Sequence, residues 1–185
     1  MSVLASTMTK VRTTGARIVA EYENGQETRP IGGYVRAMAT YGSLVTGLTV
    51  AGRSRGVRLP ERVPYDDLAL LTVATFRGSR LLAKSAVASP LRAPFTEFAG
   101  AGGPGEVKEE VTAEGHLHAV GELLTCPFCL AQWVATGLVF GYVTAPRATR
   151  LAAFTMTLVA GSDVLQFVYD AIQNGALQSA DDAES

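Results

Sequence analysis

The stretch "LLTCPFCLAQWVATGLVFGYVTAPRATRLAAFTMTLVAGSDVLQFVYDA", Leu123–Ala171, decides how the rest of this chain is read. From Leu123 to Thr144 it holds no charged residue, and from Leu151 to Ala171 only Asp163 and Asp170. Each half approaches the roughly 20 residues that a helix needs to cross a hydrocarbon core. Pro146, in "TAPRATR", cannot continue a helix from its N-terminal side, so the two halves are expected to form an antiparallel helical hairpin.

Two further stretches have similar length. "IGGYVRAMATYGSLVTGLTVA", from Ile31, carries Arg36 near its start, and "YDDLALLTVATFRGSRLLAKSAV", from Tyr65, is interrupted by Arg77, Arg80 and Lys84. The expected fold class is therefore all-α: a polytopic membrane helix bundle of about four transmembrane helices, with a polar loop between the second and third. The expected spans are 31–52, 65–87, 122–144 and 148–172, preceded by a polar N-terminal tail over 1–30 and followed by an acidic disordered tail over 173–185. The N-terminal tail has basic residues but no apolar core after them, which argues against a cleaved secretory signal.

The bulk composition agrees with this partition. The 185 residues are 48% hydrophobic and only 18% charged, below the roughly 25% of ordinary soluble domains. A mean hydropathy of +0.19 averages apolar spans with polar ends. The net charge of −1 gives no whole-chain basicity for nucleic acid. If the N-terminus lies inside, ten Lys and Arg fall on the inner side and six on the outer, which favours cytoplasmic termini in a multi-pass cell-membrane protein. The arginines of "AGRSRGVRLPER" then fall on the outer side, where they suit lipid head groups.

The charges inside the spans repeat at helical spacing. Arg77, Arg80 and Lys84 share one face of the second span; Asp163, Gln166 and Asp170 share one face of the fourth. With four crossings these spans run in the same direction, and Arg77 and Asp163 fall at similar depth. An unpaired charge at that depth costs several kcal/mol, so an Arg77–Asp163 contact is expected, with Arg80 able to substitute. Such a seam serves either to fix helix register or to line a polar pathway.

The second motif is "GELLTCPFCLAQW", with Glu122, Cys126, Cys129 and Trp133 at the threshold of the third span. The Cys-x-x-Cys pair is open to structural packing, metal binding or redox cycling, favoured in that order. His116 and His118 lie upstream, and two imidazoles with two thiolates would complete a tetrahedral zinc site. Trp133 suits a membrane–water boundary, and Glu122 a helix N-terminus. No phosphate loop, Gly-x-Ser-x-Gly or His-Glu-x-x-His occurs, so no enzymatic reaction is indicated.

Three segments together resemble a family of small bacterial integral membrane proteins known as domain of unknown function 1360, one branch of which is associated with sporulation. They are Thr75–Leu81 (Thr-Phe-Arg-x-x-Arg-Leu), Pro90–Phe95 (Pro-x-Arg-x-Pro-Phe) and Glu122–Trp133 (Glu-Leu-Leu-x-Cys-x-x-Cys-x-x-x-Trp). Asp163 resembles an acidic position in the family's last helix, whereas Ser85 stands where members often carry aspartate. The resemblance extends over about 65–172 and implies membrane location and a compact bundle, without supplying a reaction. The role it leaves is structural or interactive, with the lipid bilayer and a membrane-protein partner or a second copy as partners. A membrane thiol or zinc protein and a small transporter or channel component are the alternatives.

Overall fold

The computed structural model describes residues 13–15, 17 and 31–184, with the side chains of 176–184 left out. Helix α1 spans Ile31–Ser54 and α2 Tyr65–Lys84; a 3-10 turn at Ala86–Ala88 and the short α3, Ser89–Arg92, follow. Strands β1 (Thr96–Ala101) and β2 (Val107–Val111) lead into α4 (His116–Thr125), α5 (Pro127–Thr144) and α6 (Pro146–Glu184). The N-terminal tail assigned to 1–30 lies outside the described residues, apart from 13–15 and 17.

Local chemistry sets most boundaries. Asp66 and Asp67 occupy the first turn of α2 and Lys84 its last, each at the favourable end of the helix dipole. Only Ala145 separates α5 from α6, and Pro146 opens α6, so the hairpin expected around that proline is present. The third span, by contrast, is broken. Pro127 drives Cys126 out of the helical region, to φ −100° and ψ 107°, so Glu122 belongs to α4 and α5 begins after the first cysteine.

Two expectations need correction. The polar loop after the second span contains an antiparallel hairpin, Thr96 opposite Val111 and Ala101 opposite Val107, with an irregularity between Phe98 and Gly100. The fold is therefore helical with a two-stranded appendage rather than all-α. Helix α6 is assigned over Pro146–Glu184 and so runs on into the segment expected as the acidic tail. Among the described residues, two helices rather than four are long and apolar enough to cross a membrane by their own composition: α5, Pro127–Thr144, and α6 over Pro146–Gly175. Mean hydropathy in α1 and α2 is lowered by their arginines, glycines and hydroxyls.

Helix α2 is the centre of the bundle, packed against both α5 and α6, while α1 leans mainly on α4. The buried apolar residues are nearly all small: Ala74, Ala83, Ala88, Ala119 and Ala153, with Leu130 the large exception. Small residues let helix backbones approach closely. Gly33 of α1 shows how closely, since a Cβ there would sit 2.7 Å from that of Ala119 on α4. The large apolar side chains lie outside, including Phe154, Leu158, Leu165, Phe167 and Ile172 along α6. Only 6% of the apolar window of α5 and 11% of that of α6 is buried within the chain.

Candidate functional site

Three arginines on or just after α2 meet three carboxylates from elsewhere in the chain. Arg77 Nε lies 3.2 Å from Asp163 Oδ2 on α6, the contact that the spacing predicts, with the side chains 22% and 40% exposed. Arg80 forms a two-pronged pair with Glu106, Nε to Oε1 at 2.9 Å and Nη2 to Oε2 at 2.6 Å. Arg92 is wholly buried and pairs with Glu109 through Nε at 2.5 Å and Nη2 at 3.0 Å. Arginine's planar fork suits this geometry, and a bidentate pair adds direction to charge.

The hairpin brings two of these carboxylates into place. Glu106 opens the run into β2 and Glu109 lies within it. Arg92 ties the hairpin to the end of α2 by also donating to Leu82 O at 2.6 Å and Ser85 O at 2.9 Å. Ser89 Oγ donates to Glu109 Oε1 at 2.7 Å, and an isolated bridge pairs Ser85 with Glu106. Burial pushes the Glu109 carboxyl up, but the bonds from Arg92, Ser89 and Thr96 and the charge of Arg92 outweigh it. The result lies below the ordinary range.

Between the hairpin tip, α2 and α6 these groups enclose a cleft of about 640 Å³. Arg77, Arg80, Asp163, Gln166 and Asp170, five of the six residues assigned to the charged seam, line it together with Glu106. Lys84 does not, and has no ion pair among the described residues. Arg80 does not stand in for Arg77 at Asp163 but pairs with Glu106, while Gln166 Nε2 donates to Ser162 Oγ at 3.3 Å. A second ionic group closes the opposite end of α2. Asp67 is buried, accepts from Tyr142 OH at 2.7 Å, and lies 2.8 Å from Arg150 Nε. In the Arg77–Asp163 and Arg150–Asp67 contacts the N–H is not aligned on the carboxylate oxygen, so both act through charge rather than as hydrogen bonds.

The cysteine motif resolves differently. Cys126 caps α5, its Sγ accepting the Cys129 N–H at 3.3 Å; both thiols are free. Glu122 is not the cap: it accepts from Tyr34 OH on α1 and lies 3.5 Å from His118 Nε2, while His118 Nδ1 is 3.1 Å from Ala113 O. His116 opens α4 and Cys126 follows its last residue, a rise of about 15 Å at roughly 1.5 Å per residue. Among the described residues no three His, Cys, Asp or Glu side chains are placed to hold a metal ion, so the His116, His118, Cys126 and Cys129 zinc set does not form. Trp133 stacks edge-on with Tyr41 of α1 at 5.2 Å, and Tyr41 OH is held by Gln132 Nε2 at 2.7 Å and Thr136 Oγ1 at 2.8 Å.

Sequence reasoning missed Glu106, Glu109, Asp67 and Arg150, because each meets its partner through a fold-back that local spacing does not encode. Arg92 did carry a signal, since it occupies the arginine of the Pro-x-Arg-x-Pro-Phe segment.

These features define a class: a predominantly helical protein with two helices of membrane-crossing length and composition and a small hairpin held to the end of α2 by one buried and one partly exposed ion pair. The chain belongs to the family described as Protein of unknown function (DUF1360), which matches residues 70–169 and so takes in all three arginines and all three of their partners. It is also similar to Sporulation protein YjcA of Bacillus subtilis (strain 168), 26% identical over an alignment of 111 residues that covers 54% of this chain and 86% of that relative. No solved structure matches the chain.

Proposed function

We propose that this chain is a multi-pass integral membrane protein with a structural or interaction role, in which α1 and α2 cross the bilayer beside α5 and α6. One observation carries the reading: the distribution of side chains is inverted. Alanine, glycine and ionised groups occupy the interior, while Leu, Val and Phe cover α5 and α6 outside. A soluble bundle of this length would turn those residues inward, and an exposed apolar surface of such extent marks contact with lipid or another protein.

Helix α2 lies between the two helices of membrane-crossing length and composition, so a bilayer that takes them takes α2 as well. Its arginines are then tolerable because they face Asp163 and Glu106 rather than lipid. In this role the ion pairs fix helix register and anchor the hairpin at one membrane face, leaving the outer surface of α6 for a partner or a second copy. The name of the Bacillus relative points to sporulation as the setting for a deletion phenotype.

A second reading, a small transporter or channel component, is favoured by the cleft itself, whose ionised lining suits a hydrated path. The test of the main reading is extraction. The full chain is expected to stay in the membrane pellet after an alkaline carbonate wash and to require detergent for release. A chain that remains monodisperse in plain buffer refutes it. Ion flux into reconstituted vesicles, abolished by Asp163→Asn, would favour the second reading over the first.

A further inference from the structure

A second cavity, of about 750 Å³, lies between α1 and α5, away from the ionic cleft. Val45 and Leu48 of α1 and Val139, Phe140 and Val143 of α5 supply its walls. The polar side chains along it turn their hydrogen-bonding groups to the protein: Thr49 Oγ1 donates to Val45 O at 2.8 Å, and Tyr41, Gln132 and Thr136 satisfy one another. The surface offered to a ligand is therefore apolar.

The ends of this groove differ. Tyr41 and Gln132, beside Trp133, mark one end; Arg53 and Arg58 stand at the other. The local backbone explains why two arginines meet there. Helix α1 ends in a Schellman turn, with Val57 N bonded to Gly52 O at 3.0 Å and Gly56 N to Arg53 O at 3.0 Å. Gly56 adopts φ +69°, a conformation that L side chains rarely take. The turn folds the chain back so that Val57, Arg58 and Leu59 continue the groove wall beside Arg53. Both arginines are exposed, and neither has a carboxylate partner among the described residues.

The dimensions match one leaflet. From Tyr41 to Gly52 the wall rises about 16 Å at roughly 1.5 Å per residue, and half of a hydrocarbon core is about 15 Å. We propose that the groove binds one anionic phospholipid, an acyl chain lying between α1 and α5 and the phosphate resting on Arg53 and Arg58. The assignment rests on the membrane reading above. It goes beyond general immersion in lipid because it specifies one site, one depth and one headgroup charge.

The test is native mass spectrometry of the detergent-released full chain, offered phosphatidylglycerol or phosphatidylcholine of matched chains. Each basic side chain near an anionic headgroup contributes about fivefold, so a preference of roughly 25-fold for phosphatidylglycerol is expected. Arg53→Gln with Arg58→Gln, both at exposed positions, should bring the two lipids to near parity while membrane pelleting is unchanged. Val139→Trp, which fills the groove, should remove both adducts.

Parity in the wild-type protein overturns the assignment. So does displacement of the lipid by soluble glycerol phosphate at equal concentration, which would leave the acyl chain no part in binding. A dimer in place of a lipid adduct overturns it too, by giving the groove to a second copy. If the wild-type chain pellets with membranes yet shows parity, only the groove assignment fails; a chain that never pellets refutes both.

Discussion

Replacing Glu109 with glutamine tests whether the buried Arg92 pair holds the hairpin on the bundle. The change keeps the shape of the side chain and removes its charge. Arg92 is 0% exposed and Glu109 7%, so solvent cannot replace the lost counter-charge. Removing one partner of a buried pair typically costs about 3–5 kcal/mol. At about 2–4 °C per kcal/mol for a chain of this size, the melting temperature of Glu109→Gln in detergent should fall by roughly 6–20 °C. Glu97→Gln, on an exposed site of the same hairpin, serves as the control and should leave it nearly unchanged.

The pH dependence gives a second readout. Because the folded Glu109 carboxyl titrates below its ordinary range, its contribution is present in full above the unfolded pKa of about 4.3 and disappears as pH falls through the depressed folded value. The wild-type protein should lose stability in that acid window, and Glu109→Gln should lose less. A variant that melts with the wild type, or keeps its full acid sensitivity, refutes the anchoring role.

Three other outcomes are expected. Arg77→Asp and Asp163→Arg should each destabilise the protein by roughly 2.5–3.5 kcal/mol, and the double reversal should recover most of the loss, measured by thermal unfolding in detergent. Gly33→Leu, placed where even a Cβ comes within 2.7 Å of Ala119, should cost about 1–3 kcal/mol and loosen α1 from α4, read as faster hydrogen exchange in α1. Cys126→Ser should preserve the α5 cap and Cys126→Ala should lose about 1 kcal/mol, with neither altering the metal content of the purified protein; stoichiometric zinc lost in both would contradict the separation of His116 and His118 from the thiols.

The elements legible in the sequence are those governed by local periodicity. Uncharged length defines α5, the proline at 146 its turn into α6, and the three- and four-residue spacing places Arg77 and Arg80 on one face. Asp163 was legible as the partner of Arg77 because two helices expected to span the same thickness share a depth scale of about 1.5 Å per residue. The break at Cys126 was also written locally, in Pro127, but the continuous apolar run obscured it. The hairpin was hidden because "TEFAGA" and "VKEEV" lack a sustained alternation and the Gly-Pro-Gly cluster resembles an open loop.

What only the tertiary structure decided is the choice of partners. Nothing in the spacing of Arg80 distinguishes Gln166 from Glu106, which lies 26 residues away and arrives only when the hairpin folds back over the end of α2. The same fold-back buries Arg92 against Glu109, and the short helix α4 separates the histidines from the cysteines that composition alone would group together. Helical and apolar patterns are properties of neighbours along the chain, so a sequence determines them by itself. An ion pair depends on where distant backbone is brought, and that is fixed only once small residues have packed the helices against one another.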